Sequence, residues 1–241
     1  MDKLLKQGKL YLVSTPIGNY EDITIRALNI LKQVDFIICE EFKEAKKLLN
    51  HYNIQKELLQ INEHNEKENS NEIIALLKQG KSLALISDCG TPLFSDPGNF
   101  LVKLAIQNDI QIVPIPGPNS VIQALVGSGI DLRRFLFYGW LPAKKEARVQ
   151  ELKKLSKLNE VIVLMETPYR LQKLLGEILD FFTPNTYVVL AYELTTTNET
   201  YFRGRIKDVF EIAKNNNLKG EFVLIIDNLK HKKLNYSNLA R

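Results

Sequence analysis

The sequence predicts a two-domain α/β protein, with a doubly wound, mostly parallel sheet in the N-terminal domain and a mixed sheet in the C-terminal domain. Over the N-terminal half, short apolar runs alternate with helical periodicity, a pattern typical of parallel strands covered on both faces. Towards the end of the chain, three strand-like runs share one helix, which indicates partly antiparallel pairing. The chain has 241 residues, 45% of them hydrophobic, which is enough to bury a core without disulfides or metal.

The N-terminal domain is predicted to span residues 1–133. Its strands are short runs of mainly apolar residues: Leu10–Ser14, Phe36–Cys39, Leu83–Ser87 and Ile110–Ile115. The first helix places the apolar residues Ile23, Ala27, Ile30, Leu31 and Val34 on one face. Further helices are predicted at Glu44–Tyr52, Asn71–Lys78 and Phe100–Gln107.

The C-terminal domain is predicted to span residues 134–229 and to be followed by a basic tail at 230–241. Its strands are predicted at Phe135–Tyr138, Val161–Met165, Tyr187–Tyr192, Thr200–Arg205 and Glu221–Asp227. Its helices are predicted at Ala143–Leu155, Arg170–Phe181 and Ile206–Lys214. No repeat or low-complexity segment interrupts this order.

Composition and motifs exclude several classes of protein. No apolar run approaches the roughly 18 residues that a membrane span requires, and the first ten residues are too polar for a signal peptide. The two cysteines, Cys39 and Cys89, lack Cys-x-x-Cys spacing and are expected to be reduced thiols of a cytoplasmic protein. The three histidines show no ligand spacing, so no metal is expected. A net charge of +4 is too small to attract nucleic acid to the whole surface.

Proline and glycine concentrate in three segments at the C-terminal ends of predicted strands. These segments are Thr15–Asn19, Ser87–Gly98 and Pro114–Ser120. In open α/β sheets, ligands bind outside the carboxyl ends of the strands. Glycine there allows the backbone to approach a ligand, and proline fixes the loop before binding. One such loop is explained by a tight turn alone, but three at one edge favour a small-molecule site.

The side chains in these three segments are weakly charged. They supply hydroxyls and carboxylates without lysine or arginine: Asp88, Thr91, Ser95, Asp96 and Ser120. Asp96 and Asn119 are equally compatible with capping the helices that follow. The lack of cations disfavours a ligand with several phosphates, and no Walker A or Gly-x-Gly-x-x-Gly motif is present. We therefore expect a nucleoside-like ligand of low negative charge.

The same segments, together with others in a fixed order, resemble a known family. They are LYLVSTPIGNYEDITIRAL, NHYNI, ISDCGTPLFSDPG, VPIPGPNSVIQAL, FLFYGWLP, ETPYR and KGEFVLII, and they run from Leu10 to Ile226. This combination resembles the ribosomal small-subunit methyltransferase I group of the tetrapyrrole-methylase-like (class III) methyltransferases. The resemblance implies two α/β domains with S-adenosylmethionine in the cleft between them, and a homodimer. It also implies 2′-O-methylation of a cytidine ribose in 16S ribosomal RNA.

The resemblance further implies which residues contact the cofactor. Those in or next to the three segments are Pro16, Ile17, Gly18, Asp88, Gly90, Thr91, Ser120 and Val121. Those in the C-terminal domain are Met165, Glu166, Thr167, Glu193 and Leu194. Ribose methylation requires loss of a weakly acidic proton, and Glu40, which follows the second strand at the same edge, is the candidate base. The alternative is that Glu40 and Glu41 are carboxylates favoured by the dipole of the next helix.

A basic run between Leu132 and Lys157 is the candidate RNA-binding surface. The expected contacts, with one more arginine outside the run, are Arg133, Arg134, Lys144, Lys145, Arg148 and Arg170. Tyr138 and Trp140 are candidates for stacking on bases, and both are equally compatible with core or dimer contacts. The alternative for the run itself is a solvated helix face.

Three segments depart from the family pattern where substrate is expected. Glu-Asp-Thr-Arg of the family is Glu40–Lys43 here, Ser-Pro-His-Arg is Thr167–Arg170, and Arg-Glu-Leu-Thr-Lys is Tyr192–Thr196. An arginine and a lysine suited to phosphate are lost, and lysine does not replace a bidentate arginine. Two alternatives stay open: a methyltransferase acting on a small molecule or another RNA, and a cofactor-binding protein without turnover. A nucleotide hydrolase is disfavoured by the missing Walker A motif.

Overall fold

The computed structural model describes residues 7–94 and 96–229, which divide after Asn119 into two compact units. The boundary predicted at residue 133 lies beyond helix α5 (Ser120–Ser128). This helix packs on the sheet of the second unit, which explains why the division falls before it. The basic tail predicted at 230–241 lies outside the described residues, as do His231 and Ser95.

The first unit is built on a five-stranded parallel sheet. Its strands are β1 (Lys9–Val13), β2 (Phe36–Cys39), β3 (Glu57–Gln60), β4 (Leu83–Ile86) and β5 (Gln111–Ile115). The order across the sheet is β3-β2-β4-β1-β5, and every pairing is parallel. Tyr11 on β1 pairs with Ala84 on β4 and with Val113 on β5. The carboxyl ends of β4, β1 and β5 are therefore neighbours at one edge, as the predicted fold class requires.

Helices cover both faces of this sheet. They are α1 (Ile25–Gln33), α2 (Phe42–His51), α3 (Glu66–Lys78) and α4 (Asn99–Gln107). Successive strand residues point to opposite faces: Ile37 packs with α1 and α2, whereas Ile38 packs with α3 and α4. The doubly wound arrangement predicted from the apolar runs is thereby confirmed.

Side chains from neighbouring segments fix where two of these helices begin. The Thr24 hydroxyl accepts a hydrogen bond from the Ala27 amide at 3.1 Å and caps α1. Helix α4 is capped from a distance, because Glu66 Oε1 accepts from the amides of Gly98 and Phe100, each at 2.8 Å. Asp96, expected as a possible cap for this helix, is not its cap.

The second unit is built on a five-stranded mixed sheet. Its strands are β6 (Phe135–Trp140), β7 (Val161–Met165), β8 (Tyr187–Tyr192), β9 (Thr200–Arg205) and β10 (Phe222–Asp227). The order is β6-β7-β10-β8-β9; β6 pairs with β7 in parallel, and the other pairings are antiparallel. The partly antiparallel sheet predicted from the sequence is confirmed.

In the part of the second unit that the structure describes, four α-helices are present. Besides α5 they are α6 (Lys145–Leu155), α7 (Leu171–Phe181) and α8 (Ile206–Asn215). The Tyr201 hydroxyl on β9 donates to the Gln123 carbonyl on α5 at 2.9 Å. A Cβ at Gly127 would lie 2.2 Å from the Tyr201 ring, so only glycine allows this approach. Among the described residues no helix is long and apolar enough to cross a bilayer.

Candidate active site

Hydrogen bonds tie the first proline- and glycine-rich segment to the second. The amide of Thr15, just after β1, donates to the Gly90 carbonyl at 2.9 Å. The hydroxyl of Thr15 donates to the Ser87 carbonyl, which follows β4, also at 2.9 Å. Thr15 and Ser87 are both buried. Sequence analysis did not single out Thr15, and its signal would have been a hydroxyl side chain directly at the end of a buried strand.

The second segment is tied in turn to the third. The Thr91 hydroxyl donates to the Pro118 carbonyl at 3.1 Å and receives a bond from the Ser14 hydroxyl at 3.3 Å. A Cβ at Gly117 would lie 2.8 Å from Cβ of Ser14, so the third segment approaches β1 too closely for any side chain there. The three segments therefore form one hydrogen-bonded group at the carboxyl edge of the sheet, and we name it the loop cluster.

Gly90 is buried at the contact between the segments of the loop cluster. Its φ is +85°, in the left-handed region that favours glycine. A Cβ there would lie 3.2 Å from Cγ2 of Ile17, which is tighter than an ordinary contact. Ile17, which stands between Pro16 and Gly18 in the chain, thus lies against Gly90 with little space for a side chain between the two segments.

Carboxylates gather beside the loop cluster. The Glu41 amide donates to Asp88 Oδ1 at 3.3 Å, which joins the end of β2 to the second segment. Partial burial, followed by the charge of Asp88, raises the pKa of Glu40. Partial burial also raises the pKa of Asp88 and of Asp96, against the lowering effect of a hydrogen bond in each case. The site is therefore electronegative and would be stabilised by a cation more than by an anion.

The cysteines and the acidic residues give no sign of a metal centre. Cys39 is buried, and loss of hydration raises its pKa to about 12, so this thiol stays protonated and unreactive. Cys89 lies exposed in the second segment, and neither cysteine forms a disulfide. Within residues 7–94 and 96–229 no three His, Cys, Asp or Glu side chains are placed to hold a metal ion.

Ser120 and Val121 open helix α5 in the second unit. Ser120 is half-buried, whereas Val121 is 2% exposed. The Val121 side chain is therefore covered by protein.

Met165–Thr167 is held by an ion pair inside the second unit. Glu166 Oε2 accepts from Arg148 Nη1 at 2.8 Å, and its Oε1 accepts from the Thr167 amide at 3.0 Å. Arg148 also donates from Nε to Glu177 Oε2 at 2.5 Å. Glu166 is 4% exposed, so its carboxylate serves this turn rather than a ligand.

Arg148 corrects one sequence-based expectation. It was expected to contact RNA, but it is 1% exposed and both its contacts are carboxylates within the fold. A guanidinium covered in this way does not reach an RNA phosphate. The sequence showed that Arg148 belongs to a basic run, but it did not reveal that the Arg148 side chain points into the fold.

Glu193 and Leu194 form a strained turn after β8. Glu193 has a φ of 51°, and its Oε1 accepts from the Glu221 amide at 2.6 Å. The Tyr192 hydroxyl accepts from the Gly220 amide at 2.8 Å. Leu194 is 8% exposed. The departure Tyr192 in this segment therefore has a structural role, since it ties the turn to residues 219–221.

The other arginines expected to bind RNA differ in their ion pairs and in their exposure. Arg133 pairs with Asp131 at 2.7 Å, and Arg134 pairs with Glu160. Both arginines are largely exposed despite these pairs. Arg170 lies 3.8 Å from Glu166 and has one fifth of its side chain exposed.

Lys144 and Lys145 are exposed at the start of α6. Within the described part of the chain, neither has an acidic side chain at ion-pair distance. Tyr138 donates to Glu151 Oε2 at 3.2 Å, whereas Trp140 is 44% exposed at the end of β6. Trp140 is therefore better placed than Tyr138 to meet a base.

The fold and its loop cluster define a methyltransferase of the tetrapyrrole methylase class. The family model for Tetrapyrrole (Corrin/Porphyrin) Methylases matches residues 9–209. Among solved structures, a uroporphyrin-III C-methyltransferase from Thermus thermophilus, in complex with S-adenosylhomocysteine, is similar in fold with a TM-score of 0.62. The likeness covers 91% of this chain and 97% of that one at 15% identity, and it therefore concerns the fold.

Curated relatives identify one family within this class. A ribosomal RNA small subunit methyltransferase I from Hydrogenobaculum sp. is 46% identical over 221 residues, which covers 90% of this chain and 95% of the relative. One from Buchnera aphidicola of Schizaphis graminum is 41% identical over 236 residues, or 97% of this chain and 83% of the relative. The chain belongs to the ribosomal RNA small subunit methyltransferase I family. The resemblance found in the sequence motifs is thereby confirmed.

Proposed function

We propose that the protein transfers a methyl group from S-adenosylmethionine to the 2′-hydroxyl of a cytidine ribose in the 16S RNA of the small ribosomal subunit. The observation that carries this proposal is the loop cluster, three segments tied by hydrogen bonds and free of lysine and arginine. The names of the relatives support ribosomal RNA of the small subunit as the substrate. The position and the nucleotide follow from the motif resemblance.

The loop cluster suits this cofactor in charge and in shape. S-adenosylmethionine carries a sulfonium and an ammonium, and the carboxylates of Glu40, Asp88 and Asp96 repel one another until a cation is near. Glycine at position 90, where a Cβ would crowd Ile17, lets the segments of the loop cluster pack closely and fix the outline of the site. We assign Pro16, Ile17, Gly18, Asp88, Gly90 and Thr91 to the cofactor.

Further contacts with the cofactor are proposed from the second unit. They are Ser120, Val121, Met165, Thr167, Glu193 and Leu194, and at Glu166 only the backbone. The solved relative in complex with S-adenosylhomocysteine supports a cofactor of this kind for the fold.

Glu40 is the proposed base for the ribose hydroxyl. Bound S-adenosylmethionine supplies an electrophilic methyl group on sulfur. The chain's tasks are to hold the hydroxyl in line with that group and to accept its proton. Because burial and Asp88 raise the pKa of Glu40, its carboxylate is a stronger base than an ordinary glutamate. Glu41 is instead the N-cap residue of α2, and its amide donates a hydrogen bond to Asp88.

The RNA is proposed to contact the exposed part of the basic run and Arg170, which lies outside the run. The groups available are Arg133, Arg134, Lys144, Lys145 and Arg170. Arg148 is excluded by its burial. A homodimer and a cytoplasmic location complete the proposal, since the motif resemblance implies the first and a ribosomal substrate implies the second.

Two measurements test the proposed function. Isothermal titration calorimetry should show binding of S-adenosylhomocysteine and no heat with a nucleoside triphosphate, and the reverse result would reject the cofactor. Small ribosomal subunits from a strain that lacks the gene should accept one labelled methyl group per particle, which nuclease mapping places on a cytidine ribose. Binding without any transfer to these particles would point to another acceptor or to a protein without turnover.

A further inference from the structure

A cavity of about 480 Å³ lies beside helix α2, within the first unit. Phe42, Lys46, Leu49 and Asn50 line it, which is the spacing of one helix face. The other side is lined by residues that lead into the edge strand β3, namely Ile54, Gln55, Lys56 and Leu58. Its volume lies within the range of small-molecule sites, about 300–1,000 Å³.

The lining combines an apolar floor with a polar rim. The floor includes Leu49 and Ile54, which are 3% and 4% exposed. Phe42 is 38% exposed, so its ring is accessible. The side-chain amides of Asn50 and Gln55 stand at the exposed rim.

Among the described residues, two ammonium groups and no carboxylate line this cavity. Lys46 Nζ lies 6.0 Å from the centre of the Phe42 ring. Lys56 Nζ donates to the Val34 carbonyl at 2.7 Å, so part of its hydrogen-bonding capacity is already used. Lys46 is therefore the cation better able to meet an anionic ligand next to an aromatic ring.

An aromatic face, amide groups and an ammonium are the chemistry that recognises a nucleotide. Bases stack on aromatic side chains, their polar edges pair with amides, and the phosphate pairs with lysine. Phe42 follows Glu40 by two residues, so the Phe42 end of the cavity lies close to the proposed base. Gln60, at the end of β3, donates to the Glu40 carbonyl at 2.9 Å and fixes this turn.

We propose that this cavity binds one unpaired nucleotide of the RNA substrate, a neighbour of the methylated one, with its base on Phe42 and its phosphate near Lys46. The inference rests on the proposed function and adds to it a subsite that selects an unstacked stretch of RNA. It also gives a role to Phe42, which departs from the motif pattern of the family.

Steady-state methylation of small ribosomal subunits tests the subsite. Phe42→Ala should raise the KM for the subunits about ten-fold, because stacking on one aromatic ring is worth roughly that factor or more. Lys46→Ala should raise it several-fold, and less at high salt. Lys47→Ala is the matched control, since Lys47 is the next residue of α2, is exposed and does not line the cavity. The KM for S-adenosylmethionine should stay unchanged in all three variants.

A second variant distinguishes loss of the aromatic ring from a disturbed helix α2. Phe42→Leu keeps an apolar side chain at the start of α2 but lacks the ring, so it should unfold at the wild-type temperature and still show the raised KM. If Phe42→Leu and Lys46→Ala both match Lys47→Ala while the wild type is active, the subsite is rejected and the proposed function stands. A wild type that transfers no methyl group rejects the proposed function instead. Cytidine 5′-monophosphate that inhibits the wild type at lower concentration than the subunit KM, but does not inhibit Phe42→Leu, would assign the cavity to a free nucleotide and overturn the inference.

Discussion

Arg148 and Glu166 form an ion pair of 2.8 Å in which both side chains are at most 3% exposed. Glu177 takes the other side of the same guanidinium. Arg148 Nη2 has no hydrogen-bond partner among the described residues. The pair sits directly after β7, at the turn assigned to the cofactor, and it explains why an arginine of the basic run is turned inward.

Arg148→Met should destabilise the protein. Removing Arg148 leaves Arg170, at 3.8 Å, as the remaining cation near the buried Glu166 carboxylate among the described residues, and breaking a buried pair typically costs about 3–5 kcal/mol. For a chain of this size that corresponds to a fall in Tm of roughly 10 °C. Thermal unfolding followed by circular dichroism measures it, with Arg133→Met as the exposed control. A fall of a degree or less would mean that the pair contributes little to the fold.

Thr91→Val should weaken cofactor binding. Valine has the same shape but cannot donate to the Pro118 carbonyl or pair with Ser14, so the third segment loses its tie to the second. A hydrogen bond of this kind is worth about 1 kcal/mol, which corresponds to roughly a five-fold rise in Kd. Calorimetry with S-adenosylhomocysteine measures the change.

Ser82→Ala is the matched control for Thr91→Val. It also removes a hydroxyl, one that accepts from the Lys9 amide at 3.3 Å, but at the opposite end of β4 from the loop cluster. Equal affinities for the two variants would show that the tie between the segments does not shape the cofactor site.

The sequence predicted the loop cluster because strand ends and proline are local signals. Parallel strands place Thr15, Asp88 and Pro118 at one edge of the sheet regardless of how the helices pack. Strand periodicity and turn residues were therefore sufficient to predict the cluster. The strand β3 was missed because Glu57–Gln60 is four residues long, carries polar residues at both ends and is defined only by pairing with β2.

Arg148 could not be assigned from sequence for a different reason. Charge patterns show which residues are cationic, but they do not show the partners of Arg148. Glu166 lies in the turn after β7 and Glu177 lies on α7, both far from Arg148 along the chain. Helix α5 likewise follows the third segment without a linker, and only its packing against β8, β9 and β10 assigns it to the second unit. Both features depend on tertiary contacts that composition does not encode.

Glu40→Gln should abolish most of the methyl transfer while leaving the affinity for S-adenosylhomocysteine, which lacks the sulfonium charge, near the wild-type value. A general base contributes about 10²–10⁴-fold to a rate, so kcat should fall at least a hundred-fold. In the wild type, activity should decline as the pH falls through the pKa of Glu40, which is raised above that of an ordinary glutamate. Glu44→Gln, an exposed carboxylate on α2, is the control. Undiminished turnover by Glu40→Gln would remove this residue as the base.

The same substitution should slightly stabilise the fold at neutral pH. Because the pKa of Glu40 is raised on folding, the folded protein binds this proton more tightly than the unfolded chain. The ionised carboxylate therefore lowers stability above its folded pKa, and the effect disappears as the pH falls below the unfolded value. Solvent screens this half-buried group, so we expect Tm of Glu40→Gln to rise by only about 1 °C at pH 7 and to match the wild type in acid.

Lys144→Ala/Lys145→Ala should weaken RNA binding and make it less sensitive to salt. Both lysines are exposed at the start of α6 and lack an acidic neighbour at ion-pair distance within the described residues, whereas Arg133 and Arg134 share their charge with Asp131 and Glu160. Each lost phosphate contact should lower the slope of log K against log salt by about 0.7–0.9. Binding of labelled 16S RNA between 50 and 200 mM salt, about the range over which such contacts matter, measures this slope. The double variant Lys207→Ala/Lys214→Ala carries the same charge change on α8, outside the basic run, and should keep the wild-type slope. If the slope falls equally in both double variants, RNA binding depends on the net charge of the protein, and the basic run is not the binding surface.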